Sequence, residues 1–297
     1  MDLLKHYLRI KSGFVSKIAP YTWIDDKLKI EYLFYKTFNY KLNLKNPKTF
    51  NEKLNWIKLY DRNPQYTKLS DKYGVRAYIK DKIGKNYLNP LLGVYENYEE
   101  IDWDSLPSQF VIKLTHGSHW NIFCFDKSKF NYSGAKRKIK QWINHNYYWG
   151  AREWQYKNIH PRIVIEKYIT DGSGLVPMDY KVFCFKGKAK FIWVVIGRGT
   201  AQMTSFYFDL NWHLVKINRT SNFQSEVSPI SKPKNLNEML KISEKLADHY
   251  PFVRVDYFLI DGQILFGELT FTPFAGFCAD YLSEADRMLG DLLHLQI

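Results

Sequence analysis

The sequence is poor in cysteine and contains no long apolar run. Its three cysteines lie far apart and in no CxxC pattern, which argues against a zinc site or a disulfide framework and favours reduced thiols in a cytosolic protein. The N-terminus lacks a basic segment followed by an unbroken apolar stretch, so we expect no signal peptide. No run approaches the roughly 18–20 apolar residues that span a bilayer. We therefore expect a cytoplasmic protein that associates with a membrane only at its surface.

Internal repeats and low-complexity segments are also lacking. Hydrophobic residues make up 45% of the chain and aromatic residues 17%, a composition that excludes a disordered protein. The 297 residues suffice for one large domain or for two lobes around a substantial core.

Acidic residues are scarce near the N-terminus. Residues 1–58 contain twelve Lys or Arg and five Asp or Glu, whereas residues 251–297 contain two basic and seven acidic residues, within a net charge of +13. The surplus of positive charge is consistent with a solvated surface that has no partner. It is equally consistent with steering of an acidic polysaccharide, a membrane surface or a nucleic acid.

The spacing of apolar residues predicts an α+β protein in three parts. Residues 1–87 are expected to be mostly helical, residues 88–166 to form a small lobe, and residues 167–297 to form a larger lobe with an antiparallel sheet. A junction between two such lobes is a common place for a nucleotide.

Local signals refine this prediction. Thr49 and Glu52 have the spacing of a capping box, and a helix is predicted to begin after Ser70 and to stop at Gly84. In the larger lobe the segments TSFYFD and NWHLVKI are predicted to be consecutive strands, followed by a polar loop over residues 222–235.

Two acids stand in an apolar hairpin near the C-terminus. The segment FVRVDYFLIDGQILFGELT predicts two strands joined at Asp261-Gly262, with Asp256 in the first strand and Glu268 in the second. Carboxylates in a buried sheet are costly unless a cation holds them. The candidates for that cation are a metal ion and the neighbouring Arg254, which would neutralise Asp256 if the two acids were independent.

The turn decides whether the acids share a face. A two-residue turn would pair residue 260 with 263 and place the carboxylates on opposite faces of the sheet. A three-residue loop with a G1 bulge at Gly262 would pair residue 259 with 263 and bring Arg254, Asp256, Glu268 and Thr270 to one face. The metal interpretation therefore requires the bulged loop.

Several segments in a fixed order resemble one family. The Asp–x11–Glu–x–Thr pattern of the hairpin is similar to the metal-ligand pattern of the ATP-grasp superfamily. Together with NPKTFNEKLNWIKLYDR, DKYGVRAYIKDKIG, FVIKLTHGSH, RIVIEKYI, DYKVFCFKGK and FGELTFTPFAG, it resembles the TupA-like ATP-grasp proteins over roughly residues 40–297. These proteins take their name from a teichuronopeptide-biosynthesis protein and belong among polysaccharide-building enzymes.

The resemblance implies an ATP-grasp fold, in which two α+β lobes hold a nucleotide between them after a helical N-terminal region. It implies ATP and Mg²⁺ as cofactors. The implied metal ligands are Asp256, Glu268 and Thr270, and the implied catalytic residues are Lys113, Lys181 and Arg254. The nucleotide-binding residues comprise one candidate phosphate contact, Lys72, and a set that the resemblance implies. That set is Lys113, His116, Gly117, Ser118, Glu166, Lys167, Tyr168, Ile169 and Lys181.

Two residues depart from the superfamily pattern. Thr270 replaces an Asn ligand, and a hydroxyl coordinates a metal more weakly. The phosphate loop contains a single glycine, Gly117, so its backbone has less freedom than a triple-glycine loop. Both features leave the number of metal ions and the mobility of the loop open.

The implied reaction joins a carboxylate to an amine through an acyl phosphate, with release of ADP. By resemblance, the substrates would be a uronic acid or related acidic sugar and an amino acid, in capsular or cell-surface polysaccharide biosynthesis. The basic N-terminal region suits an anionic or lipid-linked glycan at the inner membrane face, and we expect no nucleic-acid partner.

Two other functions compete with ligation. Asp102-Trp103-Asp104 is a DxD triplet of the kind that chelates a nucleotide-sugar metal in glycosyltransferases, although here its setting favours a helix-capping loop. A sugar kinase would use the same ATP site. Only ligation would release ADP and phosphate in a manner that requires both a carboxylate and an amine.

Overall fold

The computed structural model describes residues 24–171, 177–220 and 230–296. The helices are α1 (Asp26–Phe38), α2 (Phe50–Tyr60), α3 (Gln65–Ser70), α4 (Gly74–Lys82), α5 (Tyr132–Ile143), α6 (Tyr148–Ala151), α7 (Leu236–Ala247) and α8 (Ser283–Leu292). The strands are β1 (Leu91–Tyr95), β2 (Phe110–Leu114), β3 (Asn121–Cys124), β4 (Ile163–Lys167), β5 (Asp179–Phe185), β6 (Lys188–Ile196), β7 (Thr204–Phe208), β8 (Phe252–Ile260) and β9 (Gln263–Thr270). In these ranges no helix is long and apolar enough to cross a membrane.

The described N-terminal part is helical, as predicted, and its helix ends follow from local side chains. The predicted capping box of α2 is present, because the Thr49 hydroxyl accepts from the backbone N–H of Glu52 and the Glu52 carboxylate accepts in return. The predicted start of the next helix is wrong. Ser70 is the last residue of α3, and α4 begins at Gly74, because the Asp71 carboxylate accepts from the N–H of Tyr73 and shapes a turn between them. The first 23 residues of the region predicted to be mostly helical lie outside the described residues.

The smaller sheet is antiparallel, with strand order β1-β4-β2-β3. Alternate residues of β2 and β4, such as Phe110, Ile112 and Ile165, point into a hydrophobic core together with Ile139 of α5. The sheet therefore has one face covered by α5. The side chains of Lys113 and Glu166 project from the opposite face of the sheet, outside that core.

The larger sheet is also antiparallel, with strand order β7-β6-β5-β8-β9. Helix α7 covers one face through Met239 and Leu246, which pack in one core with residues of β5, β6 and β8. On the opposite face Phe183 and Phe252 pack against α2 and α8. These two helices cover only part of that face. Further along the same strands, the side chains on this face are polar: Asp179, Lys181, Arg254 and Asp256.

One predicted strand is not formed. The segment NWHLVKI makes a single bridge, from Leu214 to Phe208, in place of a strand. The carboxylate of Asp209 accepts from the N–H groups of Asn211 and His213 and closes a turn directly after β7. The loop predicted over residues 222–235 lies mostly outside the described residues.

The hairpin β8–β9 combines a two-residue turn with a bulge. Ile260 pairs with Gln263, so the turn is Asp261-Gly262, and both turn residues have positive φ. Of the two alternatives, the two-residue turn is formed, and the three-residue loop that the metal interpretation required is not. The pairing shifts by one residue at Gly267, because β9 carries an extra residue there.

The displaced bulge nevertheless brings the acids together. Beyond it, Asp256 is directly opposite Glu268, and Arg254 is opposite Thr270. Residues directly opposite one another in an antiparallel pair project to the same face. One extra residue does restore the common face, as the metal interpretation required, but it lies at Gly267 within β9 and not in the turn.

Gly267 is predicted to be indispensable for this register. A Cβ atom there would lie 3.0 Å from the backbone oxygen of Asp256, so even alanine requires the two strands to separate. Gly267→Ala is expected to lower the free energy of unfolding by about 1–3 kcal/mol, as overpacking does. Urea denaturation would measure this, with Gly150→Ala as the control, since a Cβ there meets nothing within 4 Å. Equal urea midpoints for the two variants would contradict the close packing at the bulge.

Candidate active site

A cluster of charged side chains lies on this face of the larger sheet, beyond the part that α2 and α8 cover. Arg254 donates from Nε to Oδ1 of Asp256 and from Nη2 to Oδ2, both at 2.7 Å. Lys181 Nζ donates to the same Oδ2 at 2.5 Å. All three residues are nearly buried, with exposed fractions of 7% or less. Two protein cations therefore hold this carboxylate, as the sequence analysis allowed for Arg254.

Arg254 also links the first acid to the second. Its Nη2 donates to Oε1 of Glu268 and to the hydroxyl of Thr270, each at 3.1 Å, and that hydroxyl donates to Glu268 at 2.9 Å. The Glu268 side chain is 47% exposed, in contrast to Asp256. One carboxylate is thus fixed inside the sheet, and the other faces solvent beside it.

The charges of this cluster shift one another's pKa values. Burial alone would raise the pKa of Asp256, but Arg254 and then Lys181 outweigh burial and hold it below its usual range. The pKa of Arg254 is raised, because Asp256 and Glu268 overcome the effect of its burial. The two cations therefore favour the charged form of Asp256.

Asp179 belongs to the same cluster, although the sequence analysis missed it. It lies 3.7 Å from Lys181 Nζ and 2.5 Å from Arg198 Nε. Burial raises the pKa of this carboxyl, and Lys181 and Arg198 oppose the shift. Asp179 and Lys181 are two residues apart in a predicted strand, so their side chains project to the same face. This spacing could have indicated that Asp179 belongs to the site.

The smaller sheet contributes a second charged cluster. Lys113 Nζ lies 2.6 Å from Oε2 of Glu166, and Arg76 Nη1 lies 2.7 Å from Oε1. Arg76 also donates to the carbonyl of Asn89, whose amide donates to the Lys167 carbonyl. Glu166 therefore orients Lys113 and connects it to α4. The sequence did not predict that Arg76 would pair with Glu166, or that Asn89 would link Arg76 to the backbone of Lys167.

Lys72 lies between the two clusters. It precedes α4, and its ammonium group donates to the carbonyl of Gly117 in the predicted phosphate loop. Burial and then the nearby Lys113 lower its pKa to about 8, while Glu268 of the larger sheet is the strongest opposing influence. The helical N-terminal part thus supplies a cation whose pKa is influenced by charged residues of both sheets.

The predicted phosphate loop links β2 to β3. His116 is buried, and its Nε2 is 3.0 Å from the carbonyl of Trp142. Ser118 Oγ is 3.0 Å from a ring nitrogen of His119, which has a positive φ of 63°. Gly117 packs against the indole of Trp120, where a Cβ atom would come within 2.5 Å of a ring carbon. The one glycine of the loop is therefore required by packing.

The predicted hinge follows β4. Tyr168 is buried, and its ring meets those of Phe123 and Phe125 edge-on, with centroids 6.4 and 5.3 Å away. These two phenylalanines are parallel and 45% and 58% exposed, which makes them an aromatic surface at the edge of the sheet. Lys167 projects to solvent, and Ile169 is half-buried.

Two further buried charged residues, Lys58 and Glu153, lie near Glu268 and were not predicted. Lys58 of α2 donates to the carbonyls of Ala151 and Ala275, and burial lowers its pKa to about 7 against the influence of Glu153. The Glu153 carboxylate accepts from the hydroxyl of Thr272, and burial raises its pKa. No spacing in the sequence connects these residues, because they come from three separate segments.

The ligand types around Asp256 fit Mg²⁺ in part. Nowhere in the described ranges do three or more His, Cys, Asp or Glu side chains form a group that could hold a metal. Mg²⁺, however, is commonly bound by one or two protein carboxylates and by phosphate oxygens. Asp256, Glu268 and the Thr270 hydroxyl offer such an oxygen set, so they fit an ion shared with a nucleotide.

A family model decides the relationship. The TupA-like ATPgrasp family matches residues 52–294, most of the chain. The chain belongs to this family. The predicted ATP-grasp fold is thereby confirmed, and the two antiparallel sheets and the helical N-terminal part agree with it. The domain boundaries at residues 88 and 167 and the roles of the individual site residues stay predictions for this TupA-like protein.

Solved structures also resemble it, at low identity. The D-alanine–D-alanine ligase from Bacillus anthracis is 18% identical, with a TM-score of 0.45 over 76% of this chain and 66% of that chain. The corresponding ligase from Helicobacter pylori is 13% identical, with a TM-score of 0.45 over 84% and 67%. The TupA-like chain thus spans about two thirds of the length of these ligases. No curated protein matches it.

The lowered pKa of Lys72 predicts a pH-dependent stability. Between about 8 and the ordinary value of 10.5, the unfolded chain binds more protons at this residue than the folded chain does. The free energy of unfolding therefore rises with pH across this window. Lys72→Met should remove that contribution, so its stability relative to the wild type should be highest below pH 8 and should decline toward pH 10.

Urea denaturation at several pH values would measure this difference, with Lys68→Met, an exposed lysine of α3, as the control. A difference between Lys72→Met and the wild type that stays constant across the window would show that Lys72 is not a buried cation.

Proposed function

We propose that this protein is an ATP- and Mg²⁺-dependent ligase that joins a carboxylate to an amine. The observation that carries the proposal is the placement of Asp256, Glu268 and Thr270 on one uncovered sheet face, fixed by two buried cations. Membership of the TupA-like ATP-grasp family supports it. The nucleotide would lie between the two sheets, where Lys72 already approaches both charged clusters.

The residues of the smaller sheet would bind the nucleotide. Lys113, oriented by Glu166, would donate to the phosphates, and the backbone N–H groups near Gly117 and Ser118 would approach the terminal phosphate. The buried His116 would hold the loop in place through Trp142. The segment of Lys167, Tyr168 and Ile169 would accept the adenine, beside the exposed rings of Phe123 and Phe125.

The residues of the larger sheet would hold the metal and the reacting phosphoryl group. Asp256, Glu268 and Thr270 would bind Mg²⁺, which when bound neutralises phosphate charge. Lys181 and Arg254 position these acids, and their positive charges would lie beside the transferring group. Phosphoryl transfer depends mostly on positioning and charge, so no nucleophilic side chain is required.

The substrate carboxylate would attack the γ-phosphorus of ATP and displace ADP, giving an acyl phosphate. The amine would then attack the acyl carbon, expel phosphate and lose a proton. We propose a uronic acid or a related acidic sugar as the carboxylate and an amino acid as the amine, in building a capsular or cell-surface polysaccharide. Family membership and the surplus of basic residues support this choice.

The glycosyltransferase alternative has little support in the geometry of the DxD triplet. Asp102 accepts from the N–H of Ser105 in a turn, and Trp103 packs beside Phe110 in the core of the smaller sheet. The triplet therefore shapes a turn, although no helix follows it as the sequence analysis expected. A sugar kinase remains the second candidate, because it would use the same ATP site.

Glu268→Gln is predicted to abolish turnover. Glutamine preserves the size of the side chain and removes the charge proposed to face the metal, so ADP release should fall by about 10²-fold or more. ADP and phosphate would be measured over pairs of sugar acids and amino acids. Glu284→Gln, which alters an exposed acid of α8, serves as the control and should keep wild-type activity.

Wild-type turnover by Glu268→Gln would refute the metal assignment. ADP release without phosphate, and without need of an amine, would identify a kinase in place of a ligase.

A further inference from the structure

An open cavity of about 490 Å³ lies beside the predicted phosphate loop. Its volume is within the range of small-ligand sites. Its lining includes Trp120, Gln141, Trp142, Asn144, His145 and Tyr147. The residues come from the end of the phosphate loop, from the last turn of α5 and from the segment that leads into α6, none of which belongs to the proposed adenine site.

The aromatic walls of the cavity offer flat apolar surfaces. The indoles of Trp120 and Trp142 are almost parallel, with an interplanar angle of 10° and centroids 6.2 Å apart. The ring of Tyr147 stands edge-on to Trp120 at 5.4 Å. Both tryptophans pack against the core of the smaller sheet and are partly exposed, so part of each ring is accessible from the cavity. A flat aromatic face suits the C–H face of a pyranose ring.

The polar residues of the cavity complement the hydroxyl groups of a sugar. Gln141, Asn144 and His145 are exposed at its rim, and their side chains both donate and accept hydrogen bonds. None of the described lining residues is acidic, so a ligand carboxylate meets no like charge there. This mixture of aromatic faces with a few polar groups is typical of a small-molecule site.

The inner wall of the cavity is the phosphate loop itself. Trp120 covers Gly117 and contacts the His116 ring at 5.0 Å. Burial, followed by the charge of Glu153, raises the pKa of Tyr147 to about 12, Ser118 opposes the shift through a side-chain hydrogen bond, and Glu268 adds to it. Tyr147 therefore lies close enough to Ser118 of the phosphate loop for a side-chain hydrogen bond, whereas Glu268 acts on it only through its charge.

We propose that this cavity binds the pyranose ring of the carboxylate substrate. The ring would lie against Trp120 and Trp142, with its carboxylate directed past Tyr147 toward Ser118. The naming of the ligand as a substrate rests on the proposed function. The cavity as a binding site for an acidic sugar rests on the aromatic faces, the polar rim and the lack of acidic lining.

The experiment is binding in the absence of turnover. Saturation-transfer NMR and calorimetry would follow the methyl glycoside of glucuronic acid and, as a neutral counterpart, methyl glucoside. The wild type should bind both, and Trp142→Ala should abolish both signals. Gln141→Glu, at an exposed position that does not threaten the fold, should weaken the acid by about tenfold through charge repulsion and the neutral glycoside by less than about twofold.

Tyr60→Ala, which removes an exposed ring of α2 outside the cavity, is the control and should bind as the wild type does. The inference is overturned if neither glycoside shows saturable binding, or if Gln141→Glu and Trp142→Ala both bind the acid with wild-type affinity.

Turnover assays separate this inference from the proposed function. Binding that responds to Gln141→Glu, together with no ADP release for any sugar acid and amine, would support the cavity and refute the ligase. ADP release whose KM for a sugar acid is the same in the wild type and in Gln141→Glu would support the ligase and refute the cavity.

Discussion

The charge balance between Arg254 and Asp256 is the interaction on which the rest of the site depends. A bidentate pair inside a sheet is stable only while both partners are present, and removing one leaves an uncompensated buried charge that costs about 3–5 kcal/mol. Arg254 also donates to Glu268 and Thr270, so one guanidinium contacts all three residues proposed to face a metal. Lys181 completes the balance, and Asp179 and Arg198 extend it to the edge of the face. The three cations and the three carboxylates of this cluster balance in formal charge.

Helices α2 and α8 cover one part of the sheet face that carries these charges, and they do not cover the charged part itself. Phenylalanines at the other end of the same strands pack against α2 and α8, whereas the charged end has no such cover and turns toward the smaller sheet. Lys72 lies between the two charged clusters, and its pKa is lowered first by burial and then by the nearby Lys113, against the influence of Glu268. The phosphates of a nucleotide would supply negative charge beside it. The helical N-terminal part is therefore both a structural cover and a contributor of charge to the site.

The sequence predicted the class of fold, but not the register that brings the acids of the hairpin to one face. Asp256 and Glu268 were recognisable as unusual acids in an apolar hairpin, and a bulge was required to bring them to one face. The extra residue of the bulge could lie in the turn or within β9. The turn signal of Asp261-Gly262 does not distinguish these two positions. An isolated glycine inside a strand, here Gly267, was the available signal. The pair of Lys58 and Glu153 had no signal at all, because burial and tertiary contact alone bring the two residues together.

The central claim is that the acids of the hairpin hold a divalent ion against a nucleotide. A crystal structure with Mn²⁺ and a non-hydrolysable ATP analogue tests it most directly, since the anomalous signal of manganese locates the ion independently of the protein. The account predicts an ion about 2.1 Å from oxygens of both Asp256 and Glu268, and in contact with the phosphates. An ion bound elsewhere, or a nucleotide bound while both carboxylates remain paired only with Arg254 and Lys181, would contradict it.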